Sequence, residues 1–171
     1  MSKASKSGAS AFEKLVSDYG DDARTRLSAN KNEAQLTLPV SGLVEGAAKL
    51  ISLQATADRE ISELDGTVRP DFAVRVDKLM VGHVELKAPG TSLDPTTYAP
   101  NSHNGKQWQK LKELPNLLHT NGQEFRLWRY GELVEDPVHV HASNLATFKG
   151  LLTASPRLAV VTREVVDGAP G

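Results

Sequence analysis

Three side chains in the stretch RPDFAVRVDKLMVGHVELKAPG, residues 69 to 90, have the chemistry to act on one reacting atom: Asp71, just after Pro70, and Glu85 and Lys87 at the end of an apolar run. Whether they meet depends on how the chain between them turns. DFAVRV and MVGHVELK are rich in β-branched residues and are separated only by a polar turn around Asp77 and Lys78, the pattern of a hairpin. With Asp77, Lys78 and Leu79 as a three-residue loop, Val76 faces Met80, and counting back sets Asp71 opposite Glu85. Opposed residues share a face with their β-carbons roughly 5 Å apart, and Lys87, two residues on, joins them. A two- or four-residue loop sends Asp71 and Glu85 to opposite faces, so the chemistry hangs on the register.

Facing carboxylates repel each other unless a cation lies between them. Their oxygens, with the backbone carbonyl of Leu86 between Glu85 and Lys87, suit a hard ion such as magnesium or manganese that keeps several waters. An ion of that kind binds a phosphate oxygen and lowers the pKa of a water, while an adjacent lysine orients the water or neutralises developing charge. This is the chemistry of phosphodiester hydrolysis. The plainer reading is a solvated sheet face with a weak cross-strand ion pair.

Composition narrows the classes. A chain of 171 residues, 39% apolar, is long enough for one compact domain with a core. Twenty basic against 21 acidic residues leave a net charge of -1, so a nucleic-acid surface has to be a local patch. Lys106, Lys110 and Lys112, with Arg126 and Arg129, are the candidates for it. The absence of cysteine excludes disulfides, thiolate zinc sites and a cysteine nucleophile, and agrees with a reducing, cytoplasmic setting. No stretch approaches the length of a membrane span, so no membrane partner is expected. A Gly-Lys-Ser or Gly-Lys-Thr phosphate loop is also missing, which argues against ATPase machinery.

The elements that must position the three residues read as follows. Residues 1–9 look like a disordered lead-in, 10–153 like the domain, and 154–171 like a tail or linker. Ser10 and Glu13 have capping-box spacing, and Phe12, Leu15, Val16 and Tyr19 continue a helical stripe to about residue 28. A second helix, capped by Asn32 and Gln35 and kinked at Pro39, carries Leu36, Val40, Leu43, Val44, Ala47 and Ile51. Residues 52–64 make a first strand before the hairpin, so three successive strands form an antiparallel meander. Residues 88–103, with Pro89, Pro95 and Pro100, read as a mobile loop, followed by a helix over 104–114. Asn121-Gly122 marks a hairpin between NLLHT and QEFRLWRY, and Ser143 caps a final helix to about Leu152. Trp108, Trp128 and Tyr130 are assigned to the core, and His139 and His141 to a strand edge without a metal role.

Pro70-Asp71 followed after a hairpin's length by Glu85-Leu86-Lys87 resembles the PD-(D/E)XK nuclease signature. The longer text RPDFAV, GHVELKAPG and HNGKQWQKLKELPNLLHTNGQEFRLWRYGE is similar to the nuclease domain at the N-terminus of large single-chain restriction-modification enzymes, over roughly residues 33 to 152. The resemblance implies an α/β, restriction-endonuclease-like fold: a mixed sheet flanked by helices, in the order helix, three-stranded meander, helix, strand. It implies a magnesium-dependent deoxyribonuclease, with manganese able to substitute. Asp71 and Glu85 would be the metal ligands together with the Leu86 carbonyl, Lys87 the catalytic lysine, and Glu33 an acid joining the metal shell through water. Glu45, in LVEGAAKL, competes with Glu33 for that place. Several branches of the superfamily carry Gln, three residues, then Tyr on the next helix; here Gln107 fits and Leu111 stands at the tyrosine position. The implied partners are DNA and methyltransferase, helicase or target-recognition domains in the same or another chain, with dimerisation on DNA for double-strand cleavage. The alternative is a noncatalytic DNA-binding or interaction domain on the same fold.

Overall fold

The computed structural model describes residues 3–59, 70–134 and 136–139, with side chains from residue 11 onward. Helix α1 spans Lys3–Ala29 and buries Phe12, Val16, Tyr19 and Ala23, a stripe at helical spacing. Its outer side carries Lys14–Asp18 and Arg26–Asp22 pairs one turn apart, at 2.9 and 2.8 Å. The helix begins at Lys3, ahead of the Ser10 cap, so the lead-in expected over 1–9 is helical backbone from Lys3 on. Lys3, Ala4, Lys6 and Ala9 favour that extension, although Gly8 and the serines among them are weaker helix formers.

A 3-10 turn at Glu33–Leu36 leads into α2, Thr37–Leu50, which buries Val40, Leu43, Val44 and Ala47. Pro39 falls in the first turn of α2, where its missing N–H would have had no intrahelical acceptor, so the expected kink becomes a helix start.

The sheet runs β1 (Ala55–Arg59), β2 (Phe72–Val76), β3 (Leu79–Leu86), β4 (Leu117–Thr120), β5 (Glu124–Arg129), β6 (Glu132–Leu133), with β7 (Val138–His139) also on β5. The β1–β2–β3 meander is antiparallel, as the sequence suggests, and β4 lies parallel to β3. Parallel neighbours require a crossover, and it is provided by the segment carrying α3, His103–Leu111.

The β2–β3 turn differs from expectation. It is a two-residue loop of Asp77 and Lys78, both at positive φ (49° and 72°), with Val76 opposite Leu79. That loop alone would have separated Asp71 from Glu85. A β-bulge then intervenes, with Arg75 opposite Met80 but Val74 opposite Gly82, so β3 gains one residue and the parity reverses. Phe72 ends opposite Val84, and one more step sets Asp71 opposite Glu85 after all.

One face of the sheet packs Phe72, Val74, Val84, Leu86, Leu118, Phe125 and Leu127 into the core shared with α1 and α2. The other face meets α3 through Leu117 and Trp128, against Trp108, Leu111 and Leu114, with the two indoles 4.8 Å apart edge to face. Trp128 is thus core and Trp108 packs half-buried against it, whereas Tyr130 is exposed on the tight β5–β6 turn beside Gly131.

The segment 88–102, expected to be a mobile loop, carries its own hydrogen-bonded framework. Leu93 is buried, Tyr98 donates its hydroxyl to Ser92 O at 2.7 Å, and Asn121 Nδ2 donates to Thr91 O at 2.8 Å. Asp94 accepts from Thr96 N at 3.0 Å and caps the 3-10 turn Pro95–Thr97. The Asn121-Gly122 hairpin exists, but Thr120 pairs with Phe125, so the loop is four residues long, and Asn121 Oδ1 accepts from both Gln123 N and Glu124 N. His139 sits exposed on β7. His141, the helix expected from Ser143 and the tail over 154–171 lie outside the described residues. Among the described residues no helix is long and apolar enough to cross a membrane.

Candidate active site

Asp71 enters β2, Glu85 is the penultimate residue of β3, and Lys87 follows that strand, where its backbone N–H donates to Thr120 O at 2.8 Å. The parallel pairing with β4 thereby holds the lysine at the end of the sheet. Asp71 Oδ2 accepts from Leu86 N at 2.7 Å, which ties the aspartate to the backbone between the other two residues. Glu85 Oε1 accepts from Lys87 Nζ at 3.2 Å and from Gln107 Nε2 at 2.7 Å, and Lys87 Nζ also donates to Gln107 Oε1. Lys87, Glu85 and Gln107 form a closed triangle. Gln107 reaches it from α3, whose start is fixed by Ser102 Oγ accepting from Gly105 N at 3.0 Å.

The triangle uses only one oxygen of Glu85. Its Oε2 is buried and without a hydrogen-bond partner among the described residues. Burial, and then the charge of Asp71, push the Glu85 carboxyl up to about 8. Burial also raises Asp71, against the opposing effects of the Leu86 N–H, of Lys87 and of a hydrogen bond with Glu85, which at neutral pH is protonated and able to donate to it. Two carboxyls in contact, both held above their ordinary range and one with a bare buried oxygen, are short of positive charge. Among the described residues no cluster of three or more His, Asp or Glu is placed to hold a metal. A cation here would therefore take its remaining ligands from backbone carbonyl and water, which fits a hard, well-hydrated ion and not zinc or copper.

Strand pairing extends the site sideways. Glu85 is opposite His119 on β4, and His119 is opposite Arg126 on β5, so Asp71, Glu85, His119 and Arg126 form one row across the sheet. The His119 ring stacks on Trp108 at 6.2 Å, and neither ring nitrogen has a hydrogen bond among the described residues. Burial, then Lys87 and Arg126, lower its pKa to about 3, so the imidazole is neutral. Sequence reasoning gave His119 no role and set Arg126 in a diffuse patch, because the β3–β4 pairing that aligns them is not local.

Other candidates are dispersed. Glu33 is exposed on the 3-10 turn, and Glu45 spends its carboxylate on Ala57 N at 2.9 Å. Among the described residues neither is hydrogen-bonded directly to Asp71 or Glu85. The basic patch divides: Lys106 and Lys110 are exposed on α3, whereas Arg129 Nε donates to Asn116 Oδ1 at 3.1 Å and Arg126 pairs with Glu124.

No protein-family model matches the sequence, and no curated protein matches it. Among solved structures, the cryo-EM structure of a DrdV–DNA complex superposes with a TM-score of 0.56 at 19% identity, covering 82% of this chain and 13% of that one. The likeness supports a restriction-endonuclease-like fold. The chain thus corresponds to a small part of the length of the protein it resembles.

Proposed function

We propose that this domain is a metal-dependent endonuclease that hydrolyses DNA phosphodiester bonds, the cleavage module of a restriction-modification system. One observation carries the reading: Lys87 and Gln107 converge on Glu85 Oε1 and leave Oε2 bare beside Asp71. Asp71, Glu85 and the Leu86 carbonyl would hold magnesium, or manganese in its place. Bound there, the ion supplies charge to the phosphate and acidity to a water. Lys87, with Glu85 and Gln107 fixing its ammonium, orients the attacking water and meets the charge that develops on the phosphate. Gln107 keeps the lysine and the glutamate in register. DNA as substrate is supported by the fold shared with DrdV, which was imaged on DNA. Methyltransferase, helicase or target-recognition domains are the partners such a module would serve, and a second copy would be required for double-strand cleavage, whereas nicking requires one site.

The test is cleavage of supercoiled plasmid in magnesium and in manganese, with EDTA and Lys87→Ala controls. Nicking that EDTA abolishes and that Lys87→Ala slows by about 10²- to 10⁴-fold is expected. A plasmid left intact by the wild-type chain, or cut equally by Lys87→Ala, would overturn the reading in favour of a noncatalytic DNA-binding domain.

A further inference from the structure

The row across the sheet places a fourth charged side chain beside the carboxylate pair. Arg126 lies two strands from Glu85, on the same face, with His119 between them. Strands spaced about 4.8 Å apart set their backbones roughly 10 Å from each other, a gap that an arginine side chain can largely span. Arg126 Nε donates to Glu124 Oε1, and the guanidinium makes no other hydrogen bond among the described residues. Glu124 therefore grips one edge of the fork and leaves the terminal amino groups uncommitted. The strap over 88–102 contributes Tyr98, whose phenol feels the charges of both Arg126 and Glu85.

We propose that Arg126 is a phosphate-binding residue of this site, holding the DNA phosphate next to the one beside Asp71 and Glu85. The inference rests on the nuclease reading for what happens at the carboxylates, but not for the anion site itself. A guanidinium suits the task because its planar fork takes two phosphate oxygens at once. Glu124 fixes the fork before DNA arrives, so less side-chain freedom is lost on binding.

The experiment is equilibrium binding of a labelled duplex oligonucleotide across a salt series, with calcium in place of magnesium, for wild type, Arg126→Ala and Arg126→Lys. Arg126→Ala is expected to weaken binding about tenfold and to flatten the log–log salt slope by about one. Arg126→Lys should keep the slope and lose several-fold in affinity, since the charge remains and the fork does not. A purely structural arginine would lower the melting temperature without moving the slope. Wild-type affinity and slope in a folded Arg126→Ala protein would overturn the proposal; if that variant fails to fold, wild-type affinity in Arg126→Lys would do so. Wild-type chain that binds DNA through Arg126 yet never cuts plasmid would overturn the nuclease reading and leave the phosphate site standing. Wild-type chain that does not bind the duplex would overturn both.

Discussion

Replacing Glu85 with glutamine should stabilise the metal-free protein at alkaline pH. The carboxyl is raised from 4.5 to about 8, first by burial and then by Asp71. At 1.36 kcal/mol per unit, that rise corresponds to roughly 5 kcal/mol against the ionised form, and with relaxation around the pair a figure on the order of 3 kcal/mol is expected. The sign follows from linkage: an acid whose folded pKa is raised stabilises the fold fully below its unfolded value, and this contribution is lost as pH rises toward the folded one. Wild-type stability should therefore fall between about pH 4.5 and 8 and level off above. Glutamine keeps the acceptor oxygen for Lys87 and Gln107 and turns a donor toward Asp71, the side on which Oε2 is bare. Thermal melts in EDTA at about pH 5 and pH 9 test this. At roughly 2 to 4 °C per kcal/mol for a chain of this size, Glu85→Gln should melt on the order of 10 °C above wild type at the higher pH and lose most of the pH dependence. Equal melting temperatures at pH 9, together with a flat wild-type profile, would refute the argument that these two acids are buried against their preference.

Gly105→Ala should destabilise the fold by about 1 to 3 kcal/mol, because an added Cβ would stand 2.2 Å from the Ala99 carbonyl oxygen, a backbone atom that cannot step aside. Plasmid cleavage should fall with it, since α3 carries Gln107; an unchanged melting temperature would contradict the close approach. Gln107→Leu should slow cleavage about ten- to a hundred-fold with the fold intact by circular dichroism, because Lys87 and Glu85 lose the amide that spans them. An undiminished single-turnover rate would reduce Gln107 to packing.

The helices and the meander were legible in the sequence because local pattern reports them directly: Phe12, Val16 and Tyr19 repeat every helical turn, and DFAVRV is a short apolar, β-branched run bounded by a proline and a polar turn. The facing of Asp71 and Glu85 was reached through a different turn from the one the chain uses. A two-residue loop with both residues at positive φ is unexpected for Asp77-Lys78 without glycine, and the bulge that compensates for it arises from pairing, not from local preference. Gly82 opposite Val74 was the available signal, since glycine inside a strand often marks a bulge. The row through His119 and Arg126 had no such signal. It depends on β3 and β4 lying side by side in parallel, separated in sequence by the whole α3 crossover. The helix acid is nominated by resemblance alone: Glu45 hydrogen-bonds the β1 backbone, and Glu33, expected to act through water, is exposed on the 3-10 turn.

Fold stability alone gives little reason for this arrangement of charge. A buried Lys–Glu pair often contributes no more than apolar residues of similar volume, because desolvation offsets the attraction. An ion pair that served only to hold the sheet and α3 together would satisfy both oxygens of Glu85. Here Lys87 and Gln107 crowd onto the same oxygen, while the other is left buried against a second carboxyl. Lys87 already divides its donors between Glu85 Oε1 and Gln107, and the neutral His119 ring adds no charge. Below about pH 8 a proton on Glu85 relieves it, and a small cation bound between Asp71 and Glu85, with water completing its shell, would take the proton's place. The asymmetry around one carboxylate, more than the presence of three charged residues, is what argues for metal chemistry at this end of the sheet.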